Sequence, residues 1–227
     1  MLGYMPTPLV IIGAGGFGRE VLDIVNDGNR QLGDSKPKRF DFVGFVDDGD
    51  PDMDRLSRLG ASYIGPSSSL SDLPPGCEYS IGIGSGAVRR KFDKVATAAG
   101  LKPATLIHST ATFGNDVRIS PGAVVCAHVS VTTNVSIGRH AHINLNSTIG
   151  HDAVIADFST VNPLCAISGE VTVGEEAMIG TNSAINQGLT IGRGSVVGSG
   201  SAVTRSVEEY TLVAGVPAEF KKALRND

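Results

Sequence analysis

Tryptophan is absent from the 227 residues, and all aromatic residues together make up 5%. A chain so poor in rings must build its interior from aliphatic side chains in many small contacts. No apolar run approaches the roughly 18 residues a spanning helix needs. Met1 to Thr7 has no basic stretch, so neither a membrane segment nor a signal peptide is expected. Cys77, Cys126 and Cys165 are too few and too widely spaced for a disulfide framework or a zinc site, and they suit a reducing cytoplasm. The net charge of -4 carries no basic stripe, which removes nucleic acid from the expected partners.

The chain does have a repeat. Every sixth position from Ile107 through Phe113, Ile119 and Val125 to Val197 is apolar, without insertion. Four places after each stands a small or aliphatic residue, from Ala111 to Ser201. Neither a helix nor an alternating strand has this period, whereas a coil of short strands and tight corners does. At three hexads per coil the repeat makes about five coils of a triangular prism, with one aliphatic residue per hexad pointing into a narrow core. Glycine recurs at the second place, as in Gly138, Gly150 and Gly174, and is expected there for tight turning. The repeat divides the chain into residues 1–104, a solenoid over 105–205 and a closing segment over 206–227.

Ahead of the solenoid, Leu9 to Ile12 reads as a strand running into Gly13-Ala-Gly-Gly-Phe-Gly18, and Arg19 to Val25 as an amphipathic helix. Phe42 to Val46 is a second strand ending in Asp47-Asp48, and Tyr79 to Ile83 a third, followed by a helix over Ala87 to Ala99. Strand and helix in alternation predict a small parallel α/β domain. A glycine loop between strand and helix lets backbone N–H groups approach a phosphate. It also fits a dinucleotide with Asp47 on the ribose, or a tight turn that packs helix on sheet. About a hundred residues leave no room for a dehydrogenase's second half.

The register sorts the five histidines. His151 occupies the third place of its hexad, at an outward corner, and Asp152 follows it. A neutral imidazole at such a corner can serve as a general base, and an exposed corner can equally carry any polar residue. His140 and His142 fall on other faces, so no metal site is expected on the His151 face. His108 and His128 read as solvated or interfacial. Cys165 points inward, where a thiol behaves as a small hydrophobe rather than a nucleophile.

The stretch from Ile137 onward, with INLNSTIGHDAVIADFSTVNP at its centre, resembles the hexapeptide acyltransferases with a left-handed parallel β-helix. With GAGGFGRE, FVDD and IGIGSGAVRRK ahead of it, nearly the whole chain resembles the sugar O- and N-acyltransferases related to sialic acid O-acetyltransferase and the bacterial 4-amino-sugar N-acetyltransferases. The implied fold is a small Rossmann-like parallel α/β domain followed by a left-handed parallel β-helix.

The resemblance also implies a site. Gly13, Gly15, Gly16, Asp47 and Asp48 would hold the nucleotide of a nucleotide-linked sugar, with Arg89 and Arg90 either assisting its phosphates or solvated. His151 would be the base and Asp152 its orienting acid. Asn144 would position the acceptor sugar or the acetyl oxygen. Many relatives have a second histidine where Thr160 stands, which leaves a single-base scheme with the Gly169 N–H on the oxyanion. Acetyl-CoA would lie between neighbouring prisms of a homotrimer, against Thr160, Gly169, Gly180, Thr181, Gly198 and Gly200, with Lys221 and Lys222 near its adenosine phosphates. Glu219 departs from the basic residue relatives carry beside that closing Pro-Ala. The implied reaction is N-acetylation of the 4-amino group of a nucleotide-linked amino-dideoxy sugar, without metal. O-acetylation of a sugar such as sialic acid and a non-catalytic nucleotide-sugar-binding scaffold are the alternatives.

Overall fold

The structure, a computed structural model, describes residues 5–33 and 39–224. Residues 1–4 of the N-terminal stretch and 225–227 of the expected closing segment lie outside it. The chain divides after Ser109 rather than at 104, with Ser85–Ala87 grouping with the second unit.

The first unit has β1 (Thr7–Ile12), α1 (Gly16–Gln31), β2 (Phe40–Val46), α2 (Met53–Arg58), β3 (Tyr63–Gly65), β4 (Glu78–Ile81), α3 (Gly86–Ala98) and β5 (Lys102–Pro103). The five strands form one parallel sheet in the order β3-β2-β1-β4-β5. Leu9, Val10, Ile11 and Ile12 are all 0% exposed, as a central strand covered on both faces must be. On α1 the buried Val21, Leu22, Ile24 and Val25 follow the helical period and turn one stripe toward the core. β3 and β5 were not expected, because two or three residues are too short to show an alternating pattern. The strand expected to reach Ile83 stops at Ile81, where Gly82 lies against α1: a Cβ there would stand 2.3 Å from the Cα of Gly18.

The sheet order reverses between β1 and β4, so the crevice beyond their C-terminal ends is where an open α/β sheet takes ligands. The 13–18 loop leaves β1 at that edge. Near the unit's end, buried Asp27 accepts the Ser109 N–H at 2.9 Å and lies 3.8 Å from His108 Nδ1.

The second unit is a left-handed parallel β-helix of two-residue strands. As far as Val203 partners are separated by eighteen residues, as in Ser130 with Thr148, Ser136 with Val154 and His142 with Thr160. Three hexads therefore make one coil. From Val125 to Val197 every repeat aliphatic is at most 2% exposed, whereas Phe113, near the start of the stack, is 37% exposed. A fully buried aliphatic contributes about 1.5–3 kcal/mol, so this column is the main source of stability. Ser159, Ser195 and Ser201 enter the same interior and satisfy their hydroxyls on carbonyls three residues back.

The corners correct the expectation for glycine. The left-handed backbone falls two places after the glycine column, at Asp116, Gly122, His128, Asn134, His140, Asn146, Asp152 and onward every six residues. The second-place glycines serve another need: a Cβ on Gly150 would stand 2.4 Å from Gly169 N, and one on Gly138 2.5 Å from Asp157 N. They let coils stack rather than turn.

After Ala202–Val203 one coil shortens to sixteen residues. Val207 then pairs with Ile191, and Thr211–Ala214 pairs with Val196–Val197. Glu219–Ala223 adds an antiparallel strand that closes this edge.

Candidate active site

Each coil turns three corners, and one of them carries His151 and Asp152. Two neighbouring columns stand there: Asn115, Thr133, His151, Gly169 and Gln187, and beside them Asp116, Asn134, Asp152, Glu170 and Gly188. His151 and Asp152 are exposed side by side, and His151 Nδ1 lies 2.7 Å from Asp152 Oδ2. Asp152 Oδ1 accepts a second bond, at 3.1 Å, from Asn134 Nδ2 one coil below. The bond from His151, then that from Asn134, holds the Asp152 carboxyl below its ordinary value. A lasting carboxylate on Nδ1 favours the tautomer whose proton sits there, which leaves Nε2 with the lone pair.

Gly169 fixes where the ring can lie. A Cβ on Gly169 would stand 2.4 Å from His151 Nε2 and 2.5 Å from Cε1, so the imidazole lies on the bare Cα of the coil above. Among the described residues the Gly169 N–H makes no hydrogen bond, while its carbonyl accepts from Gly188. On the same corner Glu170 brings a carboxylate oxygen into a group with His151 and Asp152 whose ligand-type atoms all lie within 4.8 Å of one another. Sequence reading missed both Glu170 and Asn134. The signal was the eighteen-residue coil, applied to His151 to find Gly169 but not to Asp152.

Several expected contacts are not on this corner. Asn144 is buried on the preceding corner, and its Nδ2 donates to Val161 O at 3.2 Å. That amide is spent on the wall, so its assignment to the acceptor is withdrawn. Thr160 is 3% exposed on another face, too buried to meet a donor. Gly180 and Gly198 share the preceding corner, and there a Cβ would strike Ser199 N at 2.5 Å and Ala214 Cβ at 2.8 Å. Their missing side chains clear the next coil rather than a ligand. Thr181 and Gly200 are exposed on that same preceding corner, and Lys221 and Lys222 on the closing strand. Apart from Gly169, one chain thus does not gather the expected donor residues around His151.

Cys165 is buried and its Sγ lies 3.1 Å from Gly180 O; burial pushes its thiol above the ordinary value. A thiol in that state is no nucleophile. Cys77, Cys126 and Cys165 are all free and buried. His140 and His142 are buried, and His140 stacks on Phe158 with ring centroids 5.7 Å apart. His128 is exposed.

In the first unit, Gly13 has φ +101, and a Cβ there would stand 2.7 Å from Ile83 Cγ1. Gly15 and Gly16 differ: a Cβ on either would meet nothing within 4 Å. Their faces are open at the start of α1, whose N-cap, Gly15, makes no side-chain bond. Asp47 Oδ2 accepts the Ala14 N–H at 2.7 Å and its Oδ1 the Gly49 N–H at 2.8 Å, so this aspartate shapes the loop. Asp48 accepts from Ser67 N at 2.6 Å and Ser67 Oγ at 3.1 Å. Arg89 corrects the sequence reading on both options. It is 0% exposed, and its Nη1 donates to the carbonyls of Ile83 and Gly84, each at 2.9 Å, so it is neither solvated nor directed at phosphates.

Residues 8–95 match the model of the PglD N-terminal domain. A GDP-perosamine N-acetyltransferase of Escherichia coli O157:H7 is 29% identical over 162 residues, 71% of this chain and 70% of the relative. PerB from Caulobacter crescentus, solved with CoA and GDP-perosamine, superposes with a TM-score of 0.83 at 28% identity, covering 95% of this chain and 97% of that one. The acetyltransferase domain of PglB from Neisseria gonorrhoeae FA1090, solved with acetyl coenzyme A, also gives 0.83 at 28% identity, covering 95% and 100%. Over both units the chain is similar to hexapeptide-repeat sugar N-acetyltransferases. Here the solenoid carries the imidazole–carboxylate pair, and the parallel sheet carries the open glycine loop. Among the described residues no helix is long and apolar enough to cross a membrane.

Proposed function

We propose that the enzyme transfers the acetyl group of acetyl-CoA directly to the 4-amino group of a nucleotide-linked amino-dideoxy sugar. The observation that carries this reading is the His151–Asp152 pair held at 2.7 Å on a solenoid corner with the imidazole against Gly169. Nε2 of His151 takes a proton from the attacking nitrogen, and Asp152 stabilises the resulting imidazolium. The Gly169 N–H meets the oxygen of the tetrahedral intermediate, where a preorganised donor acts most strongly. The transferred proton ends on the departing thiolate.

The nucleotide lies at the 13–18 loop, with Gly15 and Gly16 giving its phosphates close approach to the start of α1. Asp47 contributes by holding that loop. The names of the relatives, with CoA and GDP-perosamine bound in PerB, support both substrates. The enzyme works as a homotrimer with sites between subunits. Thr181 and Gly200 of one copy face His151 of the next, which accounts for their lying on different corners of one chain. A concavity of about 500 Å³ on the face leaving the His151 corner, lined by Ser136, Gly138, Val154 and Asp157 among others, offers a wall for an extended donor. Three buried free thiols suit a cytoplasmic enzyme.

An acceptor panel tests the reaction: GDP-perosamine, other nucleotide-linked 4-amino sugars, free sialic acid and simple amines, each with acetyl-CoA and detection of released thiol. Thiol release with a nucleotide-linked amine is expected. Turnover of sialic acid with none of the nucleotide-linked amines would replace this reading by O-acetylation.

A further inference from the structure

A protonated amine must lose two protons to become an amide. The acceptor enters as R–NH3⁺ with three N–H bonds, because amino groups have reference pKa values of about 8 to 10. As the C–N bond forms and the thioester C–S bond breaks, the amide keeps one hydrogen. One proton goes to the thiolate of CoA and one leaves for solvent. A hydroxyl acceptor loses only one. His151 accounts for a single transfer, so N-acetylation at neutral pH leaves one proton without a protein acceptor.

The corner supplies a second group. Glu170 stands one coil above Asp152, and its carboxylate shares with His151 and Asp152 a cluster whose ligand-type atoms lie within 4.8 Å of one another. The carboxylate of Asp152 is already engaged by His151 Nδ1 and Asn134 Nδ2. Above Glu170 the column continues with Gly188, which brings no competing charge. Among the described histidine, cysteine and carboxylate side chains, those that group with Glu170 are His151 and Asp152. Glu170 is exposed, so a proton it receives can pass to water.

We propose that Glu170 receives the acceptor as an ammonium ion and takes its first proton, so that the amine reaches His151 with a lone pair to attack. This rests on the amine acceptor proposed above. It gives the corner two proton acceptors in sequence: Glu170 for the ground-state ammonium and His151 for the nitrogen as it bonds to carbon. A carboxylate beside the base also draws a cationic acceptor and gives a neutral sugar hydroxyl no such advantage, which makes Glu170 a determinant of amine over hydroxyl.

The test is the pH dependence of kcat/KM for Glu170→Gln against the unaltered enzyme, with the nucleotide-linked amine that the enzyme turns over. The loss is expected to be on the order of 10²-fold near pH 7, the size typical of one proton-transfer group, and to shrink to a few fold above the amine's own pKa. There the acceptor arrives neutral and only one proton must move. Glu170→Asp should restore part of the neutral-pH rate. A loss that is equal at all pH values would overturn the proposal, as would an unchanged profile. Failure of the amine reading itself would show separately, as absence of turnover by the unaltered enzyme.

Discussion

Gly169 is where a single hydrogen matters most. A methyl group there would occupy the position of the His151 ring, 2.4 Å from Nε2. The ring is exposed and can swing away, so Gly169→Ala should leave folding nearly intact while moving His151 from the position proposed for the base. Displacement of a catalytic group by about 1 Å can lower turnover by on the order of 10²-fold. Measuring kcat beside the urea midpoint of the variant checks this: kcat falls and the midpoint stays. Asp152 adds a statement about pH. Its folded value is depressed by the bonds from His151 and Asn134, so it stays ionised as pH falls through the ordinary carboxylate range. Replacing Asn134 by Ala removes one of those bonds. Loss of activity in that variant should then begin at a higher pH than in the unaltered enzyme, as the pH–rate profile would record. At this scale the sequence located His151 and Asp152, because counting hexads puts them on an outward corner. It misplaced Arg89 and Asn144, because burial of a long or polar side chain depends on carbonyls brought near by folding, such as those of Ile83, Gly84 and Val161.

At the scale of the element, the solenoid follows from its period and the sheet only in part. Ile155 is 0% exposed in the core column, whereas Asp157 sits partly exposed and accepts one backbone N–H, from Arg139, at 2.7 Å. Ile155→Asp places a charge where nothing pairs with it and should destabilise by several kcal/mol, enough to abolish soluble expression. Asp157→Ala removes one hydrogen bond and should cost about 1 kcal/mol, read from urea unfolding. Six-residue periodicity could reveal the column because each coil repeats the same physical demand. The stacking role of second-place glycines was hidden, since a sequence shows which residue lacks a side chain but not which neighbour would collide with one. β3 and β5 were hidden for a simpler reason: their two or three residues are held by the longer strands beside them rather than by a pattern of their own.

For the whole molecule, the proposed homotrimer would join His151 of one subunit to Thr181 and Gly200 of the next, which lie on two different corners of one chain. Subunits carrying His151→Ala and subunits carrying Thr181→Trp should each form inactive assemblies. Refolded together at equal amounts, they should recover roughly a quarter of the unaltered activity, the fraction of interfaces pairing an intact His151 with an intact Thr181. Verified mixed trimers without recovered activity would place both halves of the site on one subunit. The most direct measurement is kcat of His151→Ala with acetyl-CoA and a nucleotide-linked 4-amino sugar, on protein shown to retain its fold and oligomeric state. A general base at this corner requires a fall on the order of 10²-fold or more, whereas turnover within about twofold of the unaltered enzyme would remove His151 from the reaction.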